Sequence, residues 1–383
     1  MKSRLFLATA ALAALAVPFA ASQSIAQGVA ATAAAGKAAI GAWGFDLSGQ
    51  DTSVKPGDDF FRFASGKWDD RTQIPADKAI TGAFDDLRER TQEQLKDLIT
   101  AAPKTGQIGG LYTSFMDEAR LEKLGLTPLK ADIAKVKAIK TKSQFARFMG
   151  ASNGVFGISV IDFGVGADTS NPDINVLYLG QSGLGLPERE FYFADQFKKQ
   201  REAYVAYIAR TMKALGHPAP DQAAQTIMAF ETGIAERSWK AAERRQIEKV
   251  NNPMSTAELM AYAPGIDWTA YFAAAKIPAQ QRMIVGENTA VKAIAAYYAE
   301  TPLETLKLWQ QFHVAHQASP YLNKAMVDSR FEFVKTLSGV SENRPRWKRG
   351  VDLVNGSLGE LVGQDYVAKH FPASSKAKME VLV

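Results

Sequence analysis

Residues 83–100 read AFDDLRERTQEQLKDLIT. Phe84, Leu87, Leu95, Leu98 and Ile99 fall at helical spacing with charges between them, so one face is apolar and the other solvated. That pattern predicts a surface helix resting on a core. The same period recurs along the chain. Leu111 to Leu124 repeats it, and Pro128 stands in the first turn of a further helix towards Ala138, with Thr127 before it as a cap. From Phe197 to Glu236 the pattern returns, broken at His217-Pro218-Ala219-Pro220, after which Asp221 is placed to cap the next helix. Val291 to Gln317 and Arg330 to Leu337 also read as helix, and Pro253, Pro264 and Pro278 punctuate short elements between. One stretch differs in texture. Val155 to Phe163 is β-branched and aromatic, residues 168–173 are turn-like, and Ile174 to Leu179 is a second strand-like run, which predicts a single β-hairpin inserted in a mainly α protein. No repeat appears at a period of about 20–50 residues, which argues against a solenoid.

At 383 residues, 46% hydrophobic and 22% charged, the chain can bury a sizeable core and lies far from disordered compositions. The net charge of +5 is spread out. In Asp85-Asp86-Leu87-Arg88-Glu89-Arg90 the basic residues are answered by acids, which describes a solvated helix face and argues against a nucleic-acid partner. The first residues form a targeting segment: Lys2 and Arg4 are the positive region, Leu5 to Ala20 the apolar run, and Ser24-Ile25-Ala26 the cleavage site. We therefore expect a signal peptide over 1–26, an Ala/Gly-rich linker over 27–42 and one domain over 43–383, with the mature chain exported to the periplasm. An uncleaved N-terminal anchor is the alternative. No later segment has the roughly 20 apolar residues of a membrane span. Without any cysteine, stability must come from the core.

Catalytic chemistry is hard to place. A zinc peptidase needs two His one helical turn apart with an adjacent Glu to deprotonate the bound water, and the four His of this chain do not supply that set. His313-Val314-Ala315-His316 puts two imidazoles on one helix face with no neighbouring Glu and no third ligand. Ser375-Lys376-Ala377-Lys378 and Lys104-Thr105-Gly106 echo serine-enzyme motifs in the wrong order. Thiol catalysis has no cysteine to use, and nucleotide-binding glycine motifs are absent. No catalytic or metal-ligating residue is assigned in this chain.

Four strings, in order, nevertheless resemble the neprilysin-like family of zinc metalloendopeptidases, to which endothelin-converting enzymes and bacterial oligopeptidases belong. They are Pro56-Gly57-Asp58-Asp59-Phe60-Phe61 running to Trp68, then Gly185-Leu186-Pro187-Glu188-Arg189-Glu190-Phe191-Tyr192, then Asn252-Pro253-Met254-Ser255, and finally Trp347-Lys348-Arg349 with Val354-Asn355-Gly356, Val362-Gly363 and Tyr366-Val367. The resemblance implies the large helical lobe of such an enzyme, truncated before the thermolysin-like catalytic lobe that carries H-E-x-x-H. Zinc would belong to the full-length enzyme and not to this chain. The partners implied are oligopeptide substrates and the missing lobe, with the helical lobe limiting access to a central cavity; a non-catalytic peptide-binding module is the alternative.

Arg88 aligns with a family arginine near the substrate, where a guanidinium can pair with a peptide carboxylate, while a second family arginine falls at Ile80. Phe60, Phe61, Trp68 and Trp347 are expected as core anchors, Asp58 and Asp59 as capping or turn acids, and Gly185 and Pro187 as turn residues. The tail from Val351 to Val383 is expected to be the part least well held.

Overall fold

The computed structural model describes residues 46–383; the proposed signal peptide and linker lie outside them. The chain divides into two compact units, one made of the residues up to Thr72 with Ala373–Val383, the other of Gln73–Pro372.

In the first unit, helix α1 (Phe60–Arg71) starts because Asp59 accepts a hydrogen bond from the Arg62 amide at 2.9 Å, as its position before an apolar run requires. Arg62 then pairs with Asp70 at 2.8 Å along the same helix. Phe60 and Phe61 are 69% and 57% exposed, so they are not core anchors. They stand in the first turn, and it is the buried Gly66, not the phenylalanines, that marks the helix's inward face. Trp68 is half-buried.

The second unit begins with α2 (Ala83–Ala101), α3 (Gln107–Met116), α4 (Glu118–Leu124), α5 (Lys130–Lys137) and α6 (Lys142–Ala151). The helix read over 111–124 is thus two, because Asp117 breaks it and caps the second at Arg120. Thr127 lies in a short 3-10 turn ahead of α5 and makes no cap. The hairpin follows as β1 (Ile161–Asp168) and β2 (Asn171–Gln181), antiparallel, with Ile161 opposite Gln181. Then come α7 (Lys198–Ala214), α8 (Pro220–Arg237) and the short α9 (Ala241–Arg244) and α10 (Ile247–Val250). Pro220 opens α8 at its first position and Asp221 sits inside that first turn, so the expected Asp221 cap is not made.

The hairpin does not stand alone. β3 (Pro253–Met254) leads into α11 (Thr256–Tyr262) and α12 (Trp268–Ala275), and β4 (Met283–Val285) pairs parallel with β2 and antiparallel with β3, giving the order β1-β2-β4-β3. The Asn-Pro-Met-Ser string is this sheet's edge. The Asn252 amide donates to Val285 and Gly286 carbonyls at 3.1 and 3.0 Å, and Ser255 with Glu258 forms a capping box for α11. Arg282 anchors the hairpin's far end, donating to Asp168 at 2.7 Å. The arginine's hydrogen bonds hold the Asp168 carboxyl at about 2.

The chain closes with α13 (Asn288–Glu300), α14 (Leu303–Ala318), α15 (Lys324–Ser338) and α16 (Arg346–His370), then α17 (Ala373–Leu382) of the first unit. Among the described residues, 66% are helical. Its main core gathers Tyr204 and Tyr207 from α7, Phe230 from α8, Trp309 and Phe312 from α14 and Phe333 from α15. A smaller core joins Ile99 of α2 to Val351, Val354 and Val362 of α16, with half-buried Trp347 against it. Among the described residues, no helix is long and apolar enough to cross a membrane.

Candidate functional site

Two regions of the second unit carry polar chemistry. The first is the N-terminal half of α2. Its inward side is fixed: the Gln92 amide donates to Asp352 of α16 at 2.9 Å, and Lys348 pairs with Glu89 at 2.7 Å and Asp77 at 3.6 Å. Lys78 reaches the same Glu89 at 2.9 Å. Burial pushes the Glu89 carboxyl up, and Lys348 and Lys78 together more than reverse it, leaving it below its usual range. The outward side is different. Phe84 is 84% exposed, and Ile80 and Leu87 are exposed beside it in sequence. Arg88 is here, its side chain 73% exposed, with one nitrogen on the nearly buried Asp85 at 3.2 Å and its other donors free. Ile80 offers no second charge.

The second region is the buried heart of the main core, which sequence reasoning missed. Glu231 of α8 is fully buried, and three donors converge on its two oxygens, Tyr192 Oη at 2.7 Å, the Gly185 amide at 3.1 Å and Tyr204 Oη at 3.0 Å, with His313 Nε2 a further 2.7 Å hydrogen-bond partner. Burial, then the nearby Glu231 charge, pushes both phenols well above their ordinary range, so both stay protonated donors. Tyr192 Oη also accepts the amides of Gly185 and Leu186, each at 3.1 Å. Gly185 serves close approach rather than a turn: a Cβ there would lie 1.7 Å from Tyr204 Oη. The Gly-Leu-Pro string is thus tied to Glu231. The signal was legible, since Glu231 shares a helical stripe with the buried Ile227, Phe230 and Ile234.

The H-x-x-H pair is structural. His313 is committed to Glu231, and His316 Nδ1 lies 3.1 Å from Tyr207 Oη. His217 Nδ1 accepts the Ala219 amide at 3.2 Å. Among the described residues no group of three or more His, Asp or Glu is placed to hold a metal ion.

A helical body carrying a small mixed sheet is shared with zinc metallopeptidases of known structure. Zinc metalloprotease Zmp1 of Mycobacterium tuberculosis, solved with an inhibitor, superposes with a TM-score of 0.82 at 31% identity, over 88% of this chain and 53% of that one. PepO from Lactobacillus rhamnosis HN001 shares the fold at a TM-score of 0.73 and 19% identity, over 86% of this chain and 54% of that one. Endothelin-converting enzyme 1 of Rattus norvegicus is 27% identical over 352 residues, covering 86% of this chain and 46% of that protein. Residues 56–383 match the N-terminal domain of peptidase family M13, and the chain belongs to that family of zinc metalloendopeptidases. It spans about half the length of the relatives it matches.

Proposed function

We propose that this chain is the helical part of an exported zinc metalloendopeptidase that hydrolyses oligopeptides, and that it shapes access to the cleavage centre without supplying it. The observation that carries the reading is the outward side of α2, where Phe84, Leu87 and Ile80 are exposed around a cation whose guanidinium is only partly used. Zinc, and the Glu that activates water on it, belong in this reading to a catalytic lobe outside the present sequence. Arg88 spends one nitrogen on Asp85. Its remaining donors can take a peptide carboxylate, and with Ile80 in the neighbouring position that contact is single rather than a clamp.

The experiment is a comparison of two products of the same gene. The 383-residue chain, dialysed and analysed for metal, is expected to hold no stoichiometric zinc and to cleave no peptide. A product extended through a downstream H-E-x-x-H is expected to do both. Cleavage by the 383-residue chain itself would overturn the proposal. N-terminal sequencing of exported material checks the compartment, with Gln27 expected as the first residue.

One observation favours a second reading, a self-sufficient peptide-binding module. The first half of α16 is not loose, for Val351 and Val354 are buried against α2 and α3. A gene that stops cleanly after codon 383, with a monodisperse product, would favour it.

A further inference from the structure

Beside the turn that carries the Gly-Leu-Pro string lies a cavity of about 180 Å³ which the function above does not use. It is far larger than the roughly 10–15 Å³ that one water needs and smaller than the 300–1,000 Å³ typical of drug-sized ligands. Its occupant must be small. The walls are built firmly: the Gln181 side chain grips the Trp239 backbone on both sides, at 2.7 and 3.3 Å, and Gly183 holds φ at +95°, where a side chain would be strained. Behind that wall the Gly185 amide is fastened to Tyr192 and Glu231, and the Leu186 amide to Tyr192.

Charge decides what fits. Arg189 gives Nη1 to Glu190 at 2.8 Å and Arg244 gives Nε to Glu287 at 2.7 Å, which leaves each guanidinium with further donors unspent. Glu188 lines the same cavity and makes no ion pair among the described residues. Leu184, Leu186 and Trp239 supply apolar wall. An inorganic anion would meet the unpaired Glu188, and a simple cation would leave the spare guanidinium donors unused. A ligand carrying both charges satisfies every group. We propose that this cavity binds a free amino acid, or an equally small zwitterion, with its carboxylate on Arg189 and Arg244, its ammonium on Glu188 and an apolar side chain against Trp239.

The inference rests on the cavity alone and is tested without peptide cleavage, so its failure and that of the peptidase reading are separable. Isothermal calorimetry of the full chain with L-leucine, N-acetyl-L-leucine and L-leucinamide is the experiment. L-Leucine is expected to saturate a single site, with each blocked derivative about tenfold weaker or worse, the cost of one lost charged hydrogen bond. E188Q should bring L-leucine down to the level of the acetylated compound, and R189Q to that of the amide. Arg244→Lys keeps a cation beside Glu287 and should weaken L-leucine less than R189Q does. The ligand series on the unmodified chain stands even where a variant fails to fold. Absence of saturable heat from L-leucine up to about 10 mM overturns the proposal. So does equal affinity for the free and acetylated forms, or unchanged affinity in E188Q and R189Q variants with native circular dichroism.

Discussion

Glu231 and Arg88 are both charged helix residues, and the protein treats them oppositely. Removing Glu231 as alanine takes the partner from the Tyr192 and Tyr204 hydroxyls and from His313 Nε2 in the core, and the expected loss is about 3–5 kcal/mol of stability. Arg88→Ala removes one ion pair whose guanidinium is exposed though Asp85 is nearly buried, so folding should change by about 1 kcal/mol or less. Denaturant melts of the two variants, run side by side, measure the contrast, and similar losses would contradict it. On the proposed peptidase function, Arg88→Ala in the extended product should raise KM for peptides with a free carboxylate and leave amidated ones unchanged. Some of this was legible in the sequence. Asp59 caps α1 because a short acid before an apolar run has few other roles. Phe60 and Phe61 misled for a plain reason: aromatic character states how much area can be buried, not which way the side chain faces.

Single helices carry consequences of their own. In α14, burial, then His313 and Arg330, pushes the His316 imidazole from 6.5 down to about 3. Between those values the unfolded chain binds a proton that the folded chain refuses. Stability is therefore intact above pH 6.5 and is lost as pH falls towards 3. Melting curves across that range should show the slope, and His316→Phe should flatten it. α16 bends at Leu358, whose backbone is non-helical, and α17 after it buries no residue. Hydrogen exchange should be slow from Gly350 to Val362 and fast through Ala373–Leu382. That differs from a tail loose from Val351 onward, because Val351, Val354 and Val362 face Ile99. α2, α7 and α8 were readable because each holds several periods of its pattern. By contrast, Val291–Gln317 is two helices parted at Thr301-Pro302, and α16 was not legible as a helix at all. The sequence reads the hairpin's first strand at Val155–Phe163, although β1 runs Ile161–Asp168. β3 and β4 were not readable either, having two and three residues, too few for alternation to show.

For the molecule as a whole, family membership came from strings whose physical meaning appears only in three dimensions. Gly-Leu-Pro is fastened to a buried acid, Asn-Pro-Met-Ser is a sheet edge with a cap, and the Trp347 segment opens the helix that closes the smaller core. A sequence scan registers such strings without their partners, since the partners lie far along the chain. That distance sets an order in time. The β1–β2 hairpin turns back within two residues and can close within microseconds of being made. Its other edge waits, because β2 pairs with β4, and the Gln181 amide reaches Glu287 across 106 residues. Closing so long a loop is slow, and an unpaired strand edge is a template for wrong pairing meanwhile. A nascent chain paused anywhere between α7 and α12 would present that bare edge, so whatever escorts this protein before Val285 is synthesised has β2 to shield.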